Sequence, residues 1–275
     1  MSGTLYLCAT PIGNLEDITL RVLRTLQEVD VIAAEDTRNT IKLLNHFEIK
    51  TPMTSYHEYN KVDKAAYLVE QLANGKNIAL VTDAGTPAIS DPGEELVKQA
   101  YAAGIPVTSL PGACACVTAL TLSGLSTRRF AFEAFLPSDK KLRRKILDSL
   151  CTETRTVIIY EAPHKMKTTL GDLKEILKDR KIVLARELTK IHEEFIRKSI
   201  DELLSEIDTI KGEMILIIEG NKIDTEECKN FDEISLEDHY KLYEEKGLNK
   251  KEIIKQIAKD RNVNKNEIYM YFLEK

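Results

Sequence analysis

Short apolar runs, several of them β-branched, alternate through the first two hundred residues with stretches whose apolar positions recur at helical spacing. The runs are Leu5-Tyr6-Leu7-Cys8-Ala9 and residues 29–34, 78–81, 107–110, 156–160, 182–185 and 213–218. Between them, Ile18, Val22, Leu23 and Leu26 mark one helical face. Leu68, Val69 and Leu72 mark a second, and Leu96, Val97 and Ala100 a third. Asp91-Pro92-Gly93-Glu94 supplies a cap and a first-turn proline for that third helix. Residues 140–150 and 165–178 also have helical spacing, and residues 113–122 form a small-residue apolar stretch expected to be a buried helix. Gly124-Leu125-Ser126 breaks it before a new apolar run at 130–136. This alternation predicts an α/β fold with parallel strands and crossover helices. The boundary falls near residue 115, giving an α/β domain over 1–115 and a second over 116–222.

Nearly every strand-like run ends in a short polar or Gly/Pro motif. Thr10-Pro11-Ile12-Gly13-Asn14, Glu35-Asp36-Thr37-Arg38 and Thr82-Asp83-Ala84-Gly85-Thr86-Pro87 end three of them. Pro111-Gly112-Ala113-Cys114-Ala115, Glu161-Ala162-Pro163-His164 and Arg186-Glu187-Leu188-Thr189 end three more. Ligands of such sheets sit beyond the carboxyl ends of the strands, so these motifs are expected to share clefts. That pattern points to an enzyme. No Gly-x-Gly-x-x-Gly and no Walker lysine occurs, which removes the nicotinamide and P-loop readings.

Composition narrows the class further. The chain has 275 residues, 43% of them hydrophobic and 30% charged, ample for a soluble core. A net charge of -5 argues against a protein that grips nucleic acid over its whole surface, yet permits a local basic groove. Cys8, Cys114, Cys116, Cys151 and Cys228 are odd in number and lack Cys-x-x-Cys spacing. Reduced, buried thiols are expected, with no metal. The N-terminus runs directly into a strand, and no apolar run approaches the roughly 20 residues of a membrane span. The expected compartment is the cytoplasm.

After Gly220 the pattern changes. Residues 223–245 hold nine acids against Lys229 and Lys241, which predicts a solvated acidic connector. Residues 246–275 hold eight Lys/Arg against four acids. Asn249 can cap a helix carrying Ile253, Ile254 and Ile257, and a second short helix carries Ile268, Tyr269 and Phe272. The pair is either a helix-turn-helix-like basic tail or an amphipathic hairpin.

The ordered motifs resemble the tetrapyrrole methylase superfamily. Ala34-Glu35-Asp36-Thr37-Arg38, Tyr56-His57-Glu58-Tyr59-Asn60 and Tyr160-Glu161-Ala162-Pro163-His164-Lys165 are similar to its ribosomal RNA 2′-O-methylating branch. Tyr59 departs from the polar residue expected at its position. The resemblance implies S-adenosyl-L-methionine held in a cleft between two small α/β domains, with a helical C-terminal appendage. It implies methyl transfer to the 2′-oxygen of a decoding-centre cytidine in 16S rRNA, by a homodimer acting on the RNA or the small ribosomal subunit. Carried over by motif, the cofactor residues are Pro11, Ala84, Gly85, Thr86, Ile89, Cys114, Ala115, Glu161 and Leu188.

The chemistry has its own requirements. A sulfonium methyl is already activated, so transfer needs an in-line nucleophile and exclusion of water. A ribose hydroxyl needs a carboxylate, His or Lys in reach to remove its proton. Asp36, Glu35, Arg38 and His57 are the catalytic candidates, with Asp36 first and Arg38 as a phosphate clamp. His164 and Glu187 form a second candidate pair, while His46 and His239 read as surface or helix-packing residues. RNA requires positive charge. Arg128 and Arg129, with Lys140, Lys141, Arg143, Arg144 and Lys145, supply it just past the domain boundary. The rivals are a tetrapyrrole carbon methyltransferase and a non-catalytic ribosome-binding protein.

Overall fold

The computed structural model describes residues 1–177, 180–222, 235–245, 247–261 and 263–273. Most of the expected acidic connector (223–234), with Cys228, lies outside the described residues. Met1–Asn221 form one compact unit and Lys222–Lys275 another.

The first half builds a five-stranded sheet. In chain order come β1 (Leu5–Cys8), α1 (Leu20–Glu28), β2 (Val31–Ala34), α2 (Thr37–His46) and β3 (Met53–Ser55). Then follow α3 (Lys61–Ala73), β4 (Ile78–Val81), α4 (Gly93–Ala102) and β5 (Val107–Leu110). The order is β3-β2-β4-β1-β5 and every pairing is parallel. Successive strand residues point to opposite faces, and here both faces are covered. Ile78 and Leu80 pack with Leu68 and Leu72 of α3 and Leu96 of α4, while Ala79 and Val81 pack with Val22 and Leu26 of α1 and Leu44 of α2. That two-sided burial is why β4 reads as an unbroken apolar run. Truncating Leu68 or Leu72 to Ala would cost about 2–5 kcal/mol.

The second half starts with α5 (Ala115–Ser123), ended by Gly124 in the left-handed region at φ 77°. It continues through β6 (Phe130–Phe135), α6 (Lys140–Leu150), β7 (Thr156–Glu161), α7 (Pro163–Leu177) and β8 (Ile182–Arg186). β9 (Glu194–Lys198), α8 (Ile200–Glu206) and β10 (Met214–Ile218) complete it. The sheet order is β6-β7-β10-β8-β9.

Here the expectation of parallel strands is corrected. β6 and β7 are parallel, but β10 runs antiparallel to both β7 and β8, and β9 antiparallel to β8. Residues 187–193 are too short a link for a parallel crossover, which takes a dozen or more residues. β9 shows only Phe195 and Ile196 among charged residues, so its sequence carries little strand signal. One face of this sheet packs on α6, α7 and α8. The other carries Ile158, Val183, Ala185, Ile215 and Ile217 against Cys116, Ala119 and Leu120 of α5. The fully buried helix expected at 113–122 is half-buried, because it covers the sheet with one side and leaves Val117 and Leu122 each 47% exposed.

The C-terminal unit holds α9 (Leu236–Glu244), α10 (Lys250–Asp260) and α11 (Lys265–Tyr271). Asn249 accepts from the Glu252 N–H at 3.1 Å, capping α10. Ile253, Ile254, Ile257 and Ile268 form its core, with His239 fully buried. Among the described residues no helix is long and apolar enough to cross a membrane, and no cluster of three or more His, Cys, Asp or Glu could hold a metal.

Candidate functional site

The carboxyl ends of the first sheet meet the second sheet around a cavity of 430 Å³. The turn after β1 and the loop after β4 are tied by a backbone pair: Thr10 N–H to Gly85 carbonyl at 2.9 Å, and Gly85 N–H to Thr10 carbonyl at 3.0 Å. Gly85 sits at φ 87°, and a Cβ there would meet Ile12 Cγ2 at 3.3 Å and the Ala113 carbonyl at 3.5 Å. Only glycine takes that conformation freely in so tight a place. The Thr86 hydroxyl donates to the Ala113 carbonyl at 3.0 Å, joining this loop to the entry of α5. Ala88 and Ser90 also lie at positive φ, 66° and 67°, so the loop is strained beside the cavity. Asp91 holds that conformation by accepting from the N–H groups of Ala88, Ile89 and Gly93.

Of the cofactor candidates, Ala84, Gly85, Thr86, Ile89, Cys114, Ala115, Glu161 and Leu188 line this cavity. Pro11 does not. Chain direction at the turn puts Ile12 into the cavity, and Pro11 lines an adjoining groove of 280 Å³ with Asn14, Asn39 and Asp83. The Glu161 carboxylate is almost fully enclosed and already engaged. It accepts from the Ala162 N–H at 2.9 Å and the Thr169 hydroxyl at 2.5 Å, with Arg143 Nη1 3.8 Å away. What Glu161 offers the cavity is therefore shape and backbone. Leu188 arrives on a strap in which Glu187 and Thr189 take φ 50° and 63°. Thr189 Oγ1 is buried without a partner, and Gly13 fits against this strap, where a Cβ would meet the Leu188 carbonyl at 2.8 Å.

Phe135, Met214 and Ile215 also line the cavity and belong to none of the motifs, and Tyr160, the first residue of a quoted motif, joins them although it is not among the site candidates. They sit in strands whose apolar character signals only core. Asp83 is the other omission. It lines both the cavity and the adjoining groove. Desolvation, then the nearby carboxylates of Glu35 and Asp36, raise its pKa above the ordinary 3.8. Its signal in the sequence is a carboxylate directly after an apolar strand, in the same motif as Gly85 and Pro87.

The four catalytic candidates do not converge. Glu35 lines the cavity and accepts from the Thr82 hydroxyl at 2.6 Å. Asp36 instead caps α2, accepting from the Arg38 N–H at 2.8 Å, and its two oxygens take the Arg38 guanidinium at 3.0 and 2.6 Å. The Arg38 side chain, with its backbone N–H, holds the Asp36 pKa down to about 2. In this structure Asp36, the first of the catalytic candidates, serves as the N-cap of α2 and lines neither the cavity nor the groove. Arg38 is 87% exposed beyond it. His57 directs Nδ1 inward, where it is buried without a partner, and lines neither the cavity nor the groove. Glu187 accepts from the Glu213 N–H at 2.9 Å and from Lys190 at 3.1 Å, while His164 stands exposed at the start of α7. Of the two non-catalytic histidines, His46 is exposed and His239 buried.

The basic run divides as well. Arg128, Arg129, Lys140, Lys141, Arg144 and Lys145 are exposed. Arg143 turns inward, bonded to Asp172 at 2.9 Å and Thr169 at 2.8 Å, because its helical position faces α7. Lys140 and Arg144 border a second cavity of 410 Å³ with Ser138, His164 and Lys165.

Residues 4–204 match the family model described as Tetrapyrrole (Corrin/Porphyrin) Methylases. The chain is 52% identical over 271 residues to a Halalkalibacterium halodurans protein named ribosomal RNA small subunit methyltransferase I, covering 97% of this chain and 93% of that one. A Bacillus subtilis protein of the same name is 49% identical over 272 residues, with the same coverage. Among solved structures, Thermus thermophilus uroporphyrin-III-C-methyltransferase matches with a TM-score of 0.57 at 22% identity, covering 79% of this chain and 94% of that one. A diphthine synthase matches with a TM-score of 0.62 at 16% identity, covering 79% and 90%. These structural likenesses establish the fold and leave the substrate open, since one fold serves many substrates. The chain belongs to the tetrapyrrole methylase family, among relatives named ribosomal RNA small subunit methyltransferase I.

Proposed function

We propose that this protein is an S-adenosyl-L-methionine-dependent ribosomal RNA methyltransferase that acts on the 2′-oxygen of a decoding-centre cytidine in 16S rRNA. The observation that carries the reading is near-full-length identity of 44–52% to several proteins named ribosomal RNA small subunit methyltransferase I. The cavity suits the cofactor: its 430 Å³ lies within the usual range for small-molecule sites. Its loop 84–86 turns at Gly85 with φ 87°, a conformation that glycine takes freely, and so brings small residues and backbone to the cavity wall. Ile12, Ile89, Leu188, Met214 and Ile215 offer apolar surface for an adenosine. When bound, the cofactor supplies an electrophilic methyl group.

The chain's own residues do the rest. Asp83 and Glu35 stand at the mouth of the cleft, and a hydroxyl placed between cavity and groove would lie near both carboxylates. Asp83, its pKa raised by desolvation and by the nearby carboxylates, is the group assigned to accept the proton. Glu35 already holds Thr82 and orients the loop. The exposed cations Arg128, Arg129, Lys140, Lys141 and Lys145 offer phosphate contacts, whereas Arg144 is already ion-paired with Asp148 and Glu175. The reading includes two α/β lobes meeting near residue 115, a homodimer and a cytoplasmic location.

Tritiated methyl transfer tests it. Small ribosomal subunits should be labelled at one cytidine ribose, resistant to alkaline hydrolysis at that link. Labelling of a tetrapyrrole precursor instead would reverse the substrate, and no transfer to either, with subunits still bound, would favour a binding protein.

A further inference from the structure

Two thiols meet in the cleft wall. Cys114 and Cys116 place their sulfurs 3.4 Å apart at the start of α5. Cys114 is half-buried and lines the cavity, whereas Cys116 is buried beneath it and does not. A small oxidant entering the cleft therefore meets Cys114 first. Cys8 is buried at the core and its thiol is pushed up to about 12 by desolvation, so it is inert. We propose that Cys114 and Cys116 form an oxidation site for hydrogen peroxide or a small organic peroxide, closing to a disulfide that reshapes the cleft.

The step balances in two parts. The Cys114 thiolate attacks one peroxide oxygen, the O–O bond breaks, and Cys114 becomes a sulfenic acid while hydroxide leaves from hydrogen peroxide, or alkoxide from an organic hydroperoxide. The Cys116 sulfur then displaces the sulfenic oxygen, and the Cys116 proton leaves with it as water. Two thiols are oxidised and one peroxide is reduced. The local chemistry favours this order. The Cys116 sulfur beside it, with help from the N–H groups of Val117 and Cys116, lowers the Cys114 pKa to about 6. The same partnership and burial push the Cys116 pKa up, keeping it protonated until the sulfenic acid forms.

Closing the bond draws the sulfurs together by about 1.4 Å, since a disulfide spans about 2.05 Å. Cys114 is the residue that caps α5, in extended backbone at φ -144° and ψ 111°. The residue before it, Ala113, holds Thr86 through its carbonyl. Movement at Cys114 is therefore passed to the loop 84–86. The consequence for cofactor binding rests on the function proposed above, whereas the disulfide itself does not.

Peptide mapping separates the two. The tryptic peptide of residues 99–128 contains Cys114 and Cys116 and no other cysteine. After peroxide, denaturing alkylation and digestion, it should have lost two hydrogens and carry no alkyl group. Cys116→Ser should give no such linkage and should instead trap a dimedone adduct on Cys114. Doubly alkylated peptide from treated wild-type protein, or dimedone on exposed Cys151 alone, overturns the inference. Calorimetry with S-adenosylmethionine should show binding lost in the oxidised protein and restored by dithiothreitol. Unchanged affinity in protein mapped as fully linked overturns the coupling to the cleft. Reduced protein that binds no S-adenosylmethionine would instead overturn the functional reading, with the peptide result still deciding the site.

Discussion

The Thr82 hydroxyl donates to Glu35 Oε2 at 2.6 Å, and the N–H of Asp83 reaches the same oxygen at 3.3 Å. One carboxylate at the end of β2 thereby fixes the loop after β4 and brings a second carboxylate, Asp83, beside it. Repulsion between the two adds to desolvation in raising the Asp83 pKa.

Asp83→Asn should lower single-turnover methyl transfer by about 100-fold or more, the usual scale for losing a general base. S-adenosylmethionine affinity should stay close to wild type. Because the Asp83 pKa lies above 3.8, the base is protonated, and the rate lost, as pH falls through that raised value. The acid limb of the wild-type pH–rate profile should disappear in the variant. Asp36→Asn should leave the profile's shape intact and the melting temperature nearly unchanged, because asparagine caps α2 as well as aspartate does. An Asp36→Asn rate as low as that of Asp83→Asn would return the proton-accepting role to Asp36.

Gly85→Ala should weaken cofactor binding. Its Cβ would press on Ile12 at 3.3 Å, and its φ of 87° is unfavourable for alanine, so some loss of stability accompanies the effect. Calorimetry on folded protein checks it. Gly104 gives the control: it too has a positive φ, but a Cβ there would meet nothing within 4 Å, so Gly104→Ala should cost stability alone.

Thr169→Val keeps the shape of the side chain and removes the donor to Glu161. The carboxylate is enclosed, so an unmet bond there should cost about 1–3 kcal/mol in equilibrium denaturation. A change below a few tenths of a kcal/mol would mean that Arg143 moves in from 3.8 Å to compensate.

Replacing Lys140, Lys141 and Lys145 with Gln should weaken subunit binding and flatten its log–log salt dependence. Cofactor affinity should be unaffected, as none of the three lines the cleft. Arg143→Gln should behave differently, lowering stability through Asp172 and Thr169 rather than altering the salt slope.

Much of this architecture is legible in the residues themselves. Two-faced burial gives parallel strands continuous apolar runs, so β1, β2 and β4 announce themselves, and the motifs that follow them mark the cleft. Helical spacing likewise reveals α6, α7 and α10. The edge strand β9 is hidden because an edge buries few side chains, and the antiparallel course of β10 leaves no local trace. Which side chain faces a cleft is decided by backbone direction across distant segments. Ile12 rather than Pro11, Asp83 rather than Asp36, and an inward Arg143 within a run of outward cations all follow from that. The carboxylates are legible in the sequence, but their surroundings are decided only by tertiary structure, because hydrogen bonds from Arg38, Thr82 and Thr169 engage Asp36, Glu35 and Glu161 while Asp83 lies where cavity and groove meet.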